Sequence, residues 1–166
     1  MSEKEGILSI VAEHSNQDAA ERLERALYDY NAEASGMSEW KPLQFCVRDA
    51  TGALEGGLSG YLWGGVLHVA IVWLSERARG QGLGSSLLQA AEAYAVEHNH
   101  FDAYLSTFDF QAPEFYRKLG YSCFGELANC PRGHTYYFMH KRLPPSAAQP
   151  PKADCTPQKD RGCRTR

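Results

Sequence analysis

The stretch Val69-Ala-Ile-Val-Trp-Leu-Ser-Glu-Arg-Ala-Arg-Gly-Gln-Gly-Leu-Gly84, with the segment that follows it to residue 98, decides how this chain is read. Up to Leu74 both alternating faces are apolar, Val69, Ile71 and Trp73 on one and Ala70, Val72 and Leu74 on the other, as in a strand interior to a sheet. Beyond the turn, Leu83, Leu87, Leu88, Ala91, Tyr94 and Ala95 recur at helical spacing. Between them, Gly80, Gly82 and Gly84 remove every other side chain. Main-chain N–H groups can converge there, and the helix dipole adds partial positive charge. The junction is therefore an anion site suited to a pyrophosphate.

Spacing separates the glycine loops that use such a junction. The phosphate loop of nucleotide hydrolases needs Gly-x4-Gly-Lys-Ser/Thr, and no Lys follows these glycines. A dinucleotide fingerprint needs Gly-x-Gly-x-x-Gly, but Ser85 holds its third position and Asp102 begins the next strand where an acidic residue should end it. What remains is Arg79-x-x-Gly82-x-Gly84, which resembles the acetyl-coenzyme A motif of the GNAT acetyltransferase superfamily. Downstream, Asp109-x-x-Ala112-x-x-x-Tyr116-x-x-Leu119-Gly120-Tyr121 resembles the superfamily's second signature, with Asp109 in place of the usual Asn. The resemblance spans residues 5 to 143 and is strongest from 66 to 127.

Composition agrees with one small enzyme domain, residues 1 to 143, followed by a tail, residues 144 to 166. The tail holds five of the eight prolines, with 5 basic and 2 acidic residues, and reads as disordered. The body carries 12 Lys plus Arg against 18 Asp plus Glu, a field that opposes nucleic acid and favours a cationic amine substrate. Five scattered cysteines without a Cys-x-x-Cys pair support neither a disulfide framework nor a zinc site, so no metal is expected. No apolar run reaches the roughly 20 residues of a membrane span, and the N-terminus has no signal-peptide pattern. A cytoplasmic protein without membrane partners is the expectation.

The predicted order is β-α-β-β-β-α-β-α-β-β. Residues 7 to 12 read as a first strand, and Ser15-x-x-Asp18 as a capping box opening a helix buried through Ala20, Leu23, Leu27, Tyr30 and Ala34. Strands are predicted at 44–49, 54–63, 69–74, 103–108, 121–127 and 136–142, with a short helix over 113–118 that has Pro at its first turn. The resemblance implies an α/β fold, a mixed and mostly antiparallel sheet flanked by helices, with the site where central strands part. Pairing into a homodimer through edge strands is a further expectation.

Acetyl transfer needs a neutral amine, a donor for the developing oxyanion and stabilisation of the departing thiolate. The resemblance implies that main chain around Trp73 and Leu74 holds the pantetheine and polarises the thioester. It also implies that Arg79, Gly80, Gln81, Gly82, Leu83, Gly84, Ser85, Asp109 and Tyr116 complete the acetyl-CoA site. A turn or capping role is the alternative for Asp109. Tyr116 is the candidate general acid; a phenol at about 10 lies above a thiol near 8.5, so hydrogen bonding to the thiolate describes its role. His68, read as pointing with Ala70 and Val72, is a candidate base with a reference pKa of about 6.5, against the alternative of a satisfied strand histidine. Glu126 is a second candidate, and Glu55 and His134 are others.

The closing segment, Phe110-Gln-Ala-Pro-x-Phe-Tyr-x-Lys-Leu-Gly-Tyr121 followed by Gly-Glu-Leu and Gly-His-x-x-Tyr-Phe, resembles a bacterial subgroup of which some members modify antibiotic amines. Trp40, Tyr61, Trp63 and Tyr137 are read as ring surfaces for an amino sugar, with sheet packing as their alternative. The specific expectation is an aminoglycoside-type acceptor. A protein or peptide N-acetyltransferase and a non-catalytic coenzyme A sensor stay open.

Overall fold

The structure is a computed structural model that describes residues 8–144, so the expected tail from residue 145 onward lies outside the described residues. The chain divides into two compact units, Met1–Glu39 and Trp40–Arg166. In the first, α1 (Gln17–Ser35) begins at Asn16, whose side chain accepts the Ala19 N–H at 3.0 Å, and ends at Gly36 in the left-handed region. The cap is thus Asn16 and not Ser15, because the cap oxygen must reach the third N–H of the helix and Ser15 sits one residue too early. The apolar stripe expected to be buried is present, but α1 described by itself buries none of its residues. Residues 8–12 of the expected first strand form no strand; apolar alternation makes a strand only with a ladder partner.

In the second unit the order is β1 (Lys41–Arg48), β2 (Leu54–Trp63), β3 (Val66–Leu74), a 3₁₀ turn (Glu76–Ala78), α2 (Leu83–Glu97), β4 (Asp102–Phe108), α3 (Pro113–Lys118), β5 (Ser122–Ala128) and β6 (Thr135–Arg142). These follow the sequence reading to within a few residues. Among the described residues the strands form one six-stranded sheet, ordered β1-β2-β3-β4-β6-β5. β3 and β4 run parallel, as strands joined by a crossover helix must, and every other pair is antiparallel.

One face of the sheet carries the core. Leu58, Leu62, Leu67, Leu105 and Met139 are fully buried there with Leu88 of α2, each worth about 1.5–3 kcal/mol relative to exposure. Ala91 and Ala95, both at 0% exposure, let α2 lie close to the strands. Phe115, Tyr116 and Leu119 of the α3 segment pack on the same core. Glu92 of α2 accepts from Tyr121 Oη at 2.9 Å and pairs with Lys141 Nζ at 2.6 Å, tying the helix to β6 and to the residue just before β5.

The feature that positions the site is a bulge. Ser59 pairs with Ile71 but Gly60 pairs with Val69, leaving Ala70 without a partner on β2. Gly60 is required: a Cβ there would stand 2.1 Å from the His68 carbonyl oxygen. A bulged strand bends and twists more strongly, and β3 leaves β4 at the same point. Their ladder runs from Val66↔Asp102 to Val69↔Leu105 and stops, although both strands continue.

Candidate active site

The glycine loop lies at the far end of β3. Gly80 and Gly82 adopt φ of 73° and 79°, where a side chain is strained, and a Cβ on either would meet nothing within 4 Å. Space is therefore left beside the backbone at both. Gly84 differs: its Cβ would come 3.2 Å from Phe115 Cζ, so this glycine lets the first turn of α2 close on α3. Gly82 caps α2 without any side-chain hydrogen bond, and the first intrahelical bond is Ser86 N–H to the Gly82 carbonyl at 3.1 Å. The N–H groups of Leu83, Gly84 and Ser85 precede it and have no intrahelical partner, at the positive end of the helix dipole. Arg79 Nε donates to the Leu74 carbonyl at 3.1 Å, which holds the start of the loop against the end of β3.

Beyond Val69 and Leu105 the fork between β3 and β4 opens into a cleft of about 630 Å³. One wall is β3 from Val69 to Leu74 with Arg79; the other is Leu105 to Thr107, Phe110 to Ala112 and Tyr116. Of the sequence-predicted set, Trp73, Leu74, Arg79 and Tyr116 line this cleft, and Gly80, Gln81, Gly82, Leu83, Gly84 and Ser85 continue from Arg79 into α2. Tyr116 is 9% exposed, edge-on to Phe115 and Tyr121, and burial raises its pKa above the usual phenol value. It keeps its proton at neutral pH and can donate a hydrogen bond into the cleft. An uncapped helix end, open space at two left-handed glycines and a cleft leading away from them fit a pyrophosphate with a long thioester arm.

Sequence reasoning missed Ser106, Thr107 and Gln111. Gln111 Oε1 accepts from the Phe108 N–H at 2.9 Å and from Thr107 Oγ1 at 3.1 Å, fixing the turn that forms the β4-side wall. Ser106 Oγ bonds Tyr136 Oη at 2.5 Å, so β6 braces the same wall. Gln111 was visible within the quoted motif, but no periodicity marks a side chain that folds back on its own turn.

The bulge alters the reading of His68. With Ala70 unpaired, Val72 and Leu74 join Leu67 and Val69 on the core face, and His68 shares the opposite face with Ile71 and Trp73. Its ring stacks on Tyr104 with centroids 4.5 Å apart and meets Tyr61 edge-on at 4.7 Å. Nδ1 is buried without a partner, and burial lowers the pKa. His68 does not line the cleft, nor does Glu126, an exposed residue on the edge strand β5 opposite Tyr137. Glu55 is held by Ser75 Oγ at 2.6 Å and by Arg77, whose guanidinium also pairs with Asp49 at 2.7 Å. Those bonds hold the Glu55 carboxyl down at about 2, so it is a poor proton acceptor. Asp109 also lies off the cleft lining. Its carboxylate accepts the Thr135 N–H at 3.0 Å and faces His134 Nδ1 at 3.0 Å.

Nor do the four expected aromatics share one surface. Tyr61 stands on the face opposite α2, against Trp40 at 5.5 Å, whereas Tyr137 stands on the α2 face, where Arg117 lies 5.5 Å over its ring. The aromatics that do line the cleft are Trp73, Phe110 and Tyr116. Among the described residues no helix is long and apolar enough to cross a membrane, and no three His, Cys, Asp or Glu side chains gather in a metal-binding group.

Residues 8–121 match the model of the acetyltransferase (GNAT) family. A blasticidin-S acetyltransferase from Streptomyces morookaense is 41% identical over 109 residues, covering 63% of this chain and 80% of that protein. An acetyltransferase from Agrobacterium fabrum is 27% identical over 134 residues, 81% of this chain and 98% of its own length. The crystal structure of an acetyltransferase from Bacillus cereus superposes with a TM-score of 0.72 at 31% identity, over 81% of this chain and 98% of that one.

Proposed function

Since the chain belongs to the GNAT acetyltransferase family and is an acyltransferase, we propose that it moves the acetyl group of acetyl-CoA to a primary amine of a small, cationic, antibiotic-type molecule. The observation that carries the donor half is the β3–β4 fork running into an uncapped glycine helix end. Arg79, Gly82 and the first N–H groups of α2 bind the pyrophosphate, and the exposed edge of β3 around Trp73 and Leu74 orients the arm. Acetyl-CoA supplies the activated thioester. Tyr116 holds its proton and donates a hydrogen bond to the sulfur as charge develops there, in a cleft where such a bond counts for more than in water.

Support for the acceptor half is the 41% identity to a blasticidin-S acetyltransferase, together with the acidic balance of the body, which favours a cation. Blasticidin S and an aminoglycoside are the acceptors to try first. The test is release of free coenzyme A thiol from acetyl-CoA across blasticidin S, aminoglycosides, polyamines and lysine peptides, with mass spectrometry of the products. A gain of one acetyl group on an antibiotic supports the reading. Gain confined to peptides replaces it with a protein acetyltransferase, and cofactor binding without turnover replaces it with a coenzyme A sensor.

A further inference from the structure

We propose that His134, oriented by Asp109, is the base that takes the proton from the acceptor amine. This rests on the reading of the protein as an amine acetyltransferase. Four observations converge on the pair. Asp109 immediately follows β4, one wall of the cleft, and its N–H donates to the Thr135 carbonyl at 2.9 Å while Oδ2 accepts the Thr135 N–H at 3.0 Å. The aspartate is thereby clamped by main chain, leaving Oδ1 for His134 Nδ1 at 3.0 Å. The His134 ring meets Phe110 edge-on at 4.8 Å, and Phe110 lines the cleft. The histidine thus stands one ring from the cleft, half-exposed at 46%.

Its loop is built to hold it. Asn129 Oδ1 accepts the Gly133 N–H at 2.7 Å, Cys130 N–H bonds the His134 carbonyl at 2.9 Å, and His134 N–H bonds the Pro131 carbonyl at 2.9 Å. With a carboxylate accepting at Nδ1, the neutral imidazole carries its proton on Nδ1 and presents Nε2 as a lone-pair acceptor, the tautomer a base requires. This also accounts for the departure from the family's usual Asn at position 109, since a clamped amide could present its NH₂ to Nδ1 and favour the opposite tautomer.

The step balances. The acceptor ammonium gives one proton to His134 Nε2, directly or through one water. The amine lone pair then forms the C–N bond to the thioester carbon. As the C–S bond breaks, the thiolate leaves hydrogen-bonded by Tyr116, and the second N–H proton passes through water to its sulfur, giving the free thiol. Imidazolium returns its proton to solvent. Asp109 is a positioning residue and reacts with nothing.

The test measures kcat and KM for acetyl-CoA with the best acceptor from the panel, on the full-length chain. His134→Ala and His134→Asn should each lower kcat about 100-fold, the low end of general-base contributions, with KM for acetyl-CoA within about twofold. His134→Asn retains an amide that can bond Asp109, so it separates loss of the base from loss of the loop. Added imidazole should restore His134→Ala at least about fivefold, the recovery expected when only the proton acceptor is missing. Asp109→Asn should lower kcat with no recovery by imidazole. Full activity in His134→Asn, or a loss in His134→Ala that imidazole does not repair, would overturn the inference and leave acetyl transfer standing. Wild-type protein that acetylates no amine would overturn both.

Discussion

The two walls of the cleft are made of different material. The β3–α2 wall works with main chain: a strand edge without its ladder, two left-handed glycines and the free N–H groups of a helix. The opposite wall works with side chains brought from separate elements: Tyr116 on α3, Gln111 folded onto its own turn, Ser106 braced by Tyr136. A main-chain wall is damaged by adding atoms, and a side-chain wall by removing them. Donor binding should therefore fail through the glycines, and turnover through the polar side chains.

Gly82→Val offers the sharpest break. A β-branched residue at φ 79° is strained, and its side chain enters the space left beside the loop, so acetyl-CoA affinity should fall about 100-fold, roughly 2.7 kcal/mol, by calorimetry. Unchanged affinity would remove the main-chain account of this wall. Gly60→Ala tests the hinge between the walls. Its Cβ would stand 2.1 Å from the His68 carbonyl, and relieving that contact should cost about 2 kcal/mol, lowering Tm by roughly 4–8 °C in a thermal melt.

Tyr116→Phe probes the other wall. It removes one hydroxyl and leaves the packing against Phe115 and Tyr121, so kcat should fall about tenfold, near 1.4 kcal/mol, while the dissociation constant for acetyl-CoA holds. An equal change in both would mean that the two walls do not divide the labour. The smallest effect concerns Arg77, which fastens the β1–β2 hairpin to the turn before the glycine loop. Its bonds hold Glu55 at about 2, below the ordinary 4.5. A depressed carboxyl gives stability that is complete above the unfolded pKa and lost as pH falls through the folded one, here between about pH 4.5 and 2. Arg77→Met should flatten that acid slope in denaturant titrations; an identical slope would show that the clamp contributes nothing.

The contrast between walls also explains what could be read before folding. The glycine loop and α2 are local: alternation, glycine spacing and helical periodicity all sit in one run of the chain, and the structure follows them. The second wall is assembled from β4, α3 and the β5–β6 hairpin, and no spacing announces that Asp109 will meet Thr135 or that Ser106 will meet Tyr136. His68 was placed on the wrong face for a different reason. Strict alternation assumes one residue per ladder position, and the unpaired Ala70 breaks that count. The expected strand near residue 10 shows the same limit, since apolar alternation there has no ladder to join. Glu126 was expected on a strand bordering the cleft, whereas β6 lies between its strand and β4 and Glu126 is not among the lining residues.

Ala70 acts on β3 as a single inserted base acts on a reading frame. Before it the odd-numbered residues Leu67 and Val69 point into the core; after it the even-numbered Val72 and Leu74 do. Each half of the strand is thus written in its own phase, and the outward phase of the second half carries Ile71 and Trp73. Deleting this one small residue would set Val69 and Ile71 side by side opposite Gly60 and Ser59, so Val72 and Leu74 would keep the core side and Ile71 and Trp73 the outer one, and only the bulge would be lost. A residue that contributes only a methyl group and a place in the count thus supplies the bend at the point where β3 parts from β4 and the cleft opens.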